Sequence, residues 1–316
     1  MEFHHNLIFL LLISLFLSMG AFLNDASASG LKNKPRIISN SLKVNAKLPR
    51  SHYITSFPDE FRGGRFPQSI NLSPNQRYLY LGFDSYRPDG SKMAKYNLRT
   101  RHFSTGPTFN GGHAQGVTLN NNHLWLINKS NNDDGDDHSG VMNHGRFVEV
   151  STQSLRPVYS RKFHTKPNYY FNNTLASTKS GVFMAVRAKY NSKAIRNHML
   201  IFFRTPSFNR HGFKWQRLNT IIHRTPANAI TEFLAYNPHN NHLYYETETP
   251  NELWSLPLTK LTDNTLSKHD IKIARMSSSK EPEGIAFTKS GYAYMMFGGR
   301  YPWRGYIYKT NRPLSF

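Results

Sequence analysis

The chain has 316 residues with 40 Lys and Arg against 19 Asp and Glu, a formal charge of +21, no Cys, and 14% aromatic residues. That composition supports a substantial core and argues against global disorder, and the lack of Cys excludes thiol catalysis, thiolate metal sites and disulfides. The abundance of Tyr and Phe favours strands, where large rings pack well on a pleated surface.

The chain opens on its one long apolar run, residues 7–23. Ala26-Ser27-Ala28 follows, with the small-residue character of a signal-peptidase site, so residues 1–28 read as a secretory signal cut after Ala28. The n-region has no Lys or Arg, which leaves an uncleaved N-terminal anchor as the alternative; either places the domain outside the cytoplasm. Beyond residue 28 the chain carries 40 basic and 17 acidic residues, or +23. Such a field attracts polyanions. For an exported protein the expected partners are anionic cell-wall polymer or a membrane surface, with a glycan as a further candidate and no nucleic acid. Residues 29–40 read as a basic, flexible lead-in, and a monomer is expected.

From Phe66 onward five segments share one pattern: a short strand, a polar turn and a strongly hydrophobic second strand. They begin at Phe66, His113, Phe171, Ile230 and Glu281. Their turns are Pro74-Asn75, Asn120-Asn121-Asn122, Lys179-Ser180-Gly181, Pro238-His239-Asn240 and Lys289-Ser290-Gly291, residues that preset φ or tolerate φ > 0. Ile70, Val117, Leu175, Leu234 and Ile285 fall at one equivalent position, 47, 58, 59 and 51 residues apart. Two residues earlier stand Gln68, Gln115, Asn173, Glu232 and Glu283, all polar. A period of about 40–50 residues with two or more strands per unit is the sequence signature of a β-propeller.

Third strands follow at Met93–Leu98, Arg146–Val150, Met199–Arg204, Glu252–Leu256 and Gly305–Lys309. Fourth strands are expected at His102–Thr105, Arg156–Phe163, Trp215–Ile222 and Lys268–Ala274. The fifth repeat has no room for a fourth before Phe316. The segment Ser41–Phe57 is expected to supply it, closing the ring and removing its open edge. Residues 41–316 thus read as one all-β, five-bladed propeller, with no helical period beyond the signal segment.

The first strand of each blade should line the central channel, where residues i and i+2 share a face. The polar column would then ring one mouth, with His113 and Glu281 beside Gln115 and Glu283. The ligand-binding candidates are Gln68, His113, Gln115, Asn173, Glu232, Glu281 and Glu283. Clustered carboxylates raise one another's pKa, so His113, Glu232, Glu281 and Glu283 are the acid/base candidates; the same groups would suit a hard cation such as Ca2+, although no cofactor is required. A hydrated plug without a ligand is the plainer alternative. The acidic run holding Asp133, Asp134, Asp136 and Asp137 lacks the spacing and terminal Glu of an EF-hand, and reads as a surface loop with a metal-binding alternative. Arg300-Tyr301-Pro302-Trp303-Arg304, Lys189-Tyr190 and Tyr86-Arg87 occupy one loop in their repeats and place rings beside cations, as sugar and phosphate recognition requires. There is no G-x-S-x-G, H-E-x-x-H or P-loop pattern.

Gly111-Gly112-His113-Ala114-Gln115, followed by the strand containing Trp125, together with Glu281-Pro282-Glu283, resembles the helveticin J family of class III, bacteriolysin-like bacteriocins. The resemblance implies a secreted antibacterial protein acting on related Gram-positive cells, and it assigns no catalytic residue. This chain departs from that family in its signal-like start and its higher charge. Two other readings stand beside it: an extracellular propeller hydrolase or lyase working with channel carboxylates and a cation, and a non-lytic, lectin-like wall-binding module.

Overall fold

A computed structural model describes residues 37–39, 42–57, 65–85, 90–112, 114, 116–129, 144–164, 169–189, 197–224, 231–247, 251–276, 281–298 and 305–316. Two short strands, β1 (Ile37–Ser39) and β2 (Ser51–Ser56), precede the repeats. Blade 1 is β3 (Arg65–Leu72), β4 (Tyr78–Ser85), β5 (Ser91–Asn97) and β6 (Phe103–Phe109). Blade 2 is β7 (Thr118–Asn120), β8 (His123–Lys129), β9 (His144–Ser151) and β10 (Pro157–His164). Blade 3 is β11 (Tyr169–Thr178), β12 (Gly181–Lys189), β13 (Asn197–Thr205) and β14 (Gln216–Arg224). Blade 4 is β15 (Thr231–Asn237), β16 (His242–Thr247), β17 (Glu252–Pro257) and β18 (Lys272–Arg275). Blade 5 is β19 (Glu281–Phe287), β20 (Ala293–Gly298) and β21 (Tyr306–Thr310), completed by β2 in the order β19-β20-β21-β2. The chain is a five-bladed propeller closed by its N-terminal strand, as the missing fourth strand of the fifth repeat required.

The turns form where the sequence permits a left-handed residue. Asn121 and Asn122 both have φ > 0 in the two-residue link of blade 2, the geometry that matches strand twist in a hairpin. Gly181 (φ +126°) and Gly291 (φ +83°) serve blades 3 and 5. One element departs from the all-strand expectation. A single-turn helix, α1 (Leu258–Thr262), links β17 to β18 and buries Leu258 and Leu261. It stops where Asn264 takes φ 56°. Its five residues are too few to leave a helical period in the sequence.

The core is five wedges, one between each pair of neighbouring blades. Ile70 packs with Tyr294 and Met296 of blade 5, and Val117 with Tyr80 of blade 1. Leu175 faces Phe147 of blade 2, Leu234 faces Phe183 of blade 3, and Ile285 faces Tyr244 of blade 4. The aliphatic column found by repeat alignment is therefore the residue each inner strand presses against the preceding blade. Its members are 0–5% exposed, and burying a side chain of this size stabilises by about 1.5–3 kcal/mol.

The N-terminal segment does more than close the ring. β1, inside the stretch expected as a lead-in, pairs in parallel with β14 on the outer edge of blade 3. Asn45 and Ala46 then donate their backbone N–H groups to Ile273 O on the outer edge of blade 4, at 2.9 and 3.0 Å. The Asn45 side chain bonds Ile271 O and Ile273 N there as well. β2 covers the outer edge of blade 5. Leu42 packs into the wedge between blades 3 and 4, Leu48 into that between 4 and 5, and Ile54 and Phe57 into that between 5 and 1. The segment is a belt over three blade edges, which satisfies edge backbone groups and staples three wedges.

Residues 311–316 are tied down on the side of the ring that carries the turns. The Phe316 carbonyl oxygen accepts from Tyr244 Oη and Ser255 Oγ, both at 2.6 Å, and from Asn240 Nδ2 at 3.3 Å. Ser255 Oγ also lies 2.7 Å from His242 Nδ1. Burial pushes the His242 imidazole below its ordinary value of 6.5, against a smaller opposing effect of the Phe316 carbonyl. The folded state thus resists a proton that the unfolded state accepts. This contribution is fully favourable above the unfolded value and is lost as pH falls below it, levelling off under the folded value. Urea midpoints should therefore fall from about pH 7 to about pH 5 more steeply for the parent than for His242→Gln. Parallel pH profiles would refute this.

Candidate functional site

The five first strands surround the axis and enclose a cavity of about 150 Å³. It is lined by the aliphatic column and by the positions two residues on, Leu72, Leu119, Ser177, Tyr236 and Phe287. Cross-blade hydrogen bonds tie part of this wall together. Asn71 Nδ2 donates to Val117 O at 2.6 Å, Ser69 Oγ to Ala114 O at 2.8 Å, and Ser177 N to Thr118 Oγ1 at 2.8 Å.

At the end of the first strands where Gln68, Asn173, Glu232 and Glu283 stand, the pairing of β3, β11, β15 and β19 is not regular. Register shifts fall between Pro67 and Ser69, Tyr170 and Thr174, Thr231 and Leu234, and Pro282 and Gly284. Gln68, Asn173, Glu232 and Glu283 each lie inside a shift. In blades 1, 4 and 5 the shift inserts one extra residue, which breaks the two-residue alternation between the polar and the aliphatic position. Three of the shifts insert one residue and that of blade 3 inserts two, all near the start of a first strand, and such irregularities gather beside functional sites.

Glu283 is 1% exposed and Gln68 is 5% exposed. The Glu283 carboxylate lies over Gly298, where an added Cβ would come within 2.5 Å of Oε1. Gly284, the next residue, lets β19 approach β3; a Cβ there would stand 2.9 Å from Ile70 Cγ2 and 3.1 Å from Ile70 N. Gln68 Oε1 is buried without a hydrogen-bond partner among the described residues. Ala114, in the corresponding stretch of blade 2, holds φ 53° while wholly buried, a strained conformation for a non-glycine residue. Glu281 is exposed at the start of β19. His113, Gln115, the side chains of Asn173 and Glu232, the acidic run with Asp133, Asp134, Asp136 and Asp137, and the loops at Tyr86-Arg87, Tyr190 and residues 300–304 lie outside the described residues.

Three further carboxylates at the mouth end of the blades escaped sequence reasoning. Asp84, at the end of β4, is 8% exposed; Glu246, near the end of β16, is fully buried; Glu252, at the start of β17, is 7% exposed. Glu252 accepts from Trp254 Nε1 at 3.2 Å and lies 3.7 Å from Arg275 Nη2. Their only sequence signal is an acid flanking a hydrophobic strand. Among the described residues no three His, Asp or Glu gather as a metal site would need. What this end of the blades offers is a set of low-exposure carboxylates from blades 1, 4 and 5, able to accept hydrogen bonds.

The opposite face carries the turns joining first to second and third to fourth strands. Exposed cations stand on it in every blade: Arg77, Arg99 and Arg101; Arg156; Lys179 and Arg210; Lys260 and Lys268; Lys289 and Arg312. Acids near them are largely occupied. Glu149 is buried and takes Arg210 in a two-pronged pair at 2.6 and 3.0 Å, with His123 Nδ1 2.9 Å from its other side. That pair holds the Arg210 guanidinium above its ordinary value. Asp270 Oδ2 accepts from Ser267 N at 2.9 Å and Ser267 Oγ at 2.6 Å.

No protein-family model matches the chain, and no curated protein matches it in sequence. Similar solved structures include a glucose dehydrogenase, 12% identical with a TM-score of 0.48, matched over 84% of this chain and 100% of that one. A chain of a nidogen/laminin complex is 9% identical with a TM-score of 0.43, over 73% and 74%. The Cps50 (Swd1) β-propeller domain of Myceliophteria thermophila is 11% identical with a TM-score of 0.39, over 82% and 99%. At such identities the likeness is one of fold and carries no activity across.

Proposed function

We propose that the protein is a secreted, helveticin-like antibacterial protein that captures the anionic envelope of related Gram-positive bacteria. The observation that carries this reading is the placement of charge. Five carboxylates among the described residues, Asp84, Glu149, Glu246, Glu252 and Glu283, are buried, while exposed cations stand on all five blades. Among the described residues the exposed surface is thus dominated by cations. A field of this sign concentrates polyanions and speeds encounter. The two patches that resemble helveticin J, one of them containing the bulge at Glu283, supply the antibacterial part of the reading.

Capture by exposed charge is screened beyond about 8–10 Å at physiological ionic strength. Binding of the mature protein to whole Gram-positive cells should then fall about tenfold or more between roughly 50 and 300 mM salt, the steep dependence expected when several anionic groups are neutralised. Binding that ignores salt would sink the capture step. The same assay read as loss of viability, with Glu283→Gln alongside, separates capture from chemistry at the mouth. Unchanged killing by that variant would leave the channel carboxylate no catalytic part.

A further inference from the structure

We infer that the turn face is the docking surface for a linear phosphodiester polyanion, an inference that rests on the envelope-capture reading above and names the surface and ligand chemistry it uses. Cations from five blades form a ring at the edges of a disc, so a flexible anionic chain can follow them in succession. Blade 1 contributes three arginines from two neighbouring turns. Ser73 Oγ and Asn75 Oδ1 hold the backbone of Arg77, and Asn97 Oδ1 accepts from Arg99 N at 2.9 Å and Thr100 N at 3.1 Å. The turns are fixed through their backbones, which leaves the guanidinium groups outward. None of the three forms an ion pair among the described residues. Guanidinium forks match phosphate oxygens in geometry as well as charge.

The same face argues against a bilayer. Its exposed large apolar residues would have to enter the headgroup region, as interfacial binding requires. Among the described residues those are Val44, Tyr53 and Val158, which belong to the belt and to β10 rather than the turns. The bases of a single-stranded nucleic acid would seek open aromatic platforms to stack on. The rings near this face are engaged: Tyr244 packs against Phe316, and Lys309 Nζ lies 5.3 Å above both Tyr292 and Tyr294. A hydrated polymer of phosphodiesters asks for neither apolar tips nor platforms.

The test uses the mature protein with long-chain inorganic polyphosphate and, separately, phosphatidylglycerol vesicles. One variant combines Arg99→Glu, Arg101→Glu and Lys179→Glu. A charge-matched control combines Lys43→Glu, Lys47→Glu and Lys162→Glu on the belt and β10. All six residues are exposed. A milder Arg99→Gln, Arg101→Gln, Lys179→Gln set guards against unfolding. The turn-face triple should weaken polyphosphate binding about tenfold or more and flatten its salt slope, while the control changes it about two- to threefold. Equal losses in both triples, or vesicles bound more tightly than polyphosphate, would overturn the inference. If the turn-face triple binds whole cells as the parent does, the docking face is wrong and envelope capture stands. If the parent binds polyphosphate through this face yet ignores cells, the capture reading fails and the face survives.

Discussion

Phe57→Ala should destabilise the protein by about 3–5 kcal/mol, the range for removing a buried ring from a well-packed site. Phe57 directly follows the closing strand β2 and is 5% exposed. Its ring meets Phe83 edge-on at 5.1 Å and Phe103 at 6.2 Å, both in blade 1. Its N–H donates to Gly305 O of blade 5 at 3.1 Å. A Cβ on Gly305 would collide with the ring, so that glycine is the seat on which Phe57 rests. The ring thus joins the first and last blades at the seam. A large loss is expected because the seam has no covalent closure and the ring fills the wedge between the first and last blades. Tyr53→Ala is the control: it lies in β2 itself but is 53% exposed, and should change stability by no more than about 0.5 kcal/mol. Denaturant titrations would decide, and equal costs for the two would refute the seam's role.

Leu314→Ala should cost about 2–5 kcal/mol. Leu314 is fully buried in the wedge between blades 4 and 5. Its N–H donates to Gly291 O at 2.9 Å, and its carbonyl accepts from Asn237 Nδ2 at 3.1 Å. These bonds carry the tail to the point where the Phe316 carbonyl meets Tyr244, Ser255 and Asn240. Burial raises the Tyr244 phenol, which stays a proton donor. Tyr244→Phe removes two hydrogen bonds from that nest, the one donated to Phe316 O and the one accepted from Asn240 Nδ2 at 2.9 Å, and should cost about 1–2 kcal/mol. If Tyr244→Phe proved the more damaging change, the tail would be held by its polar nest rather than by Leu314.

The blade plan was legible because it repeats. The aliphatic column at Ile70, Val117, Leu175, Leu234 and Ile285 recurs for one physical reason, the wedge each residue fills, so alignment alone finds it. The bulges were less visible, since an extra residue leaves no period. Yet Pro67 and Pro282 stand directly before Gln68 and Glu283, and a proline that cannot donate to the ladder belongs at such a break. The belt was hidden beyond its closing strand. Ile38 pairs with Ile221 and Asn45 meets Ile273, contacts across most of the chain that no local pattern announces. The buried carboxylates were hidden for a related reason. Glu246 reads as a polar residue near the end of a strand, yet it is fully buried.

The belt also orders events during folding. Its residues are synthesised before every edge that receives them: β14 first, then β18, and finally β21. β1 can pair only once residues 216–224 exist, and β2 only once residues 306–310 exist. Loop closure of that span dominates the entropy of the final step, and contacts so distant in sequence form slowly. A nascent chain stalled before residue 306 would therefore hold assembled blades but an unlatched ring.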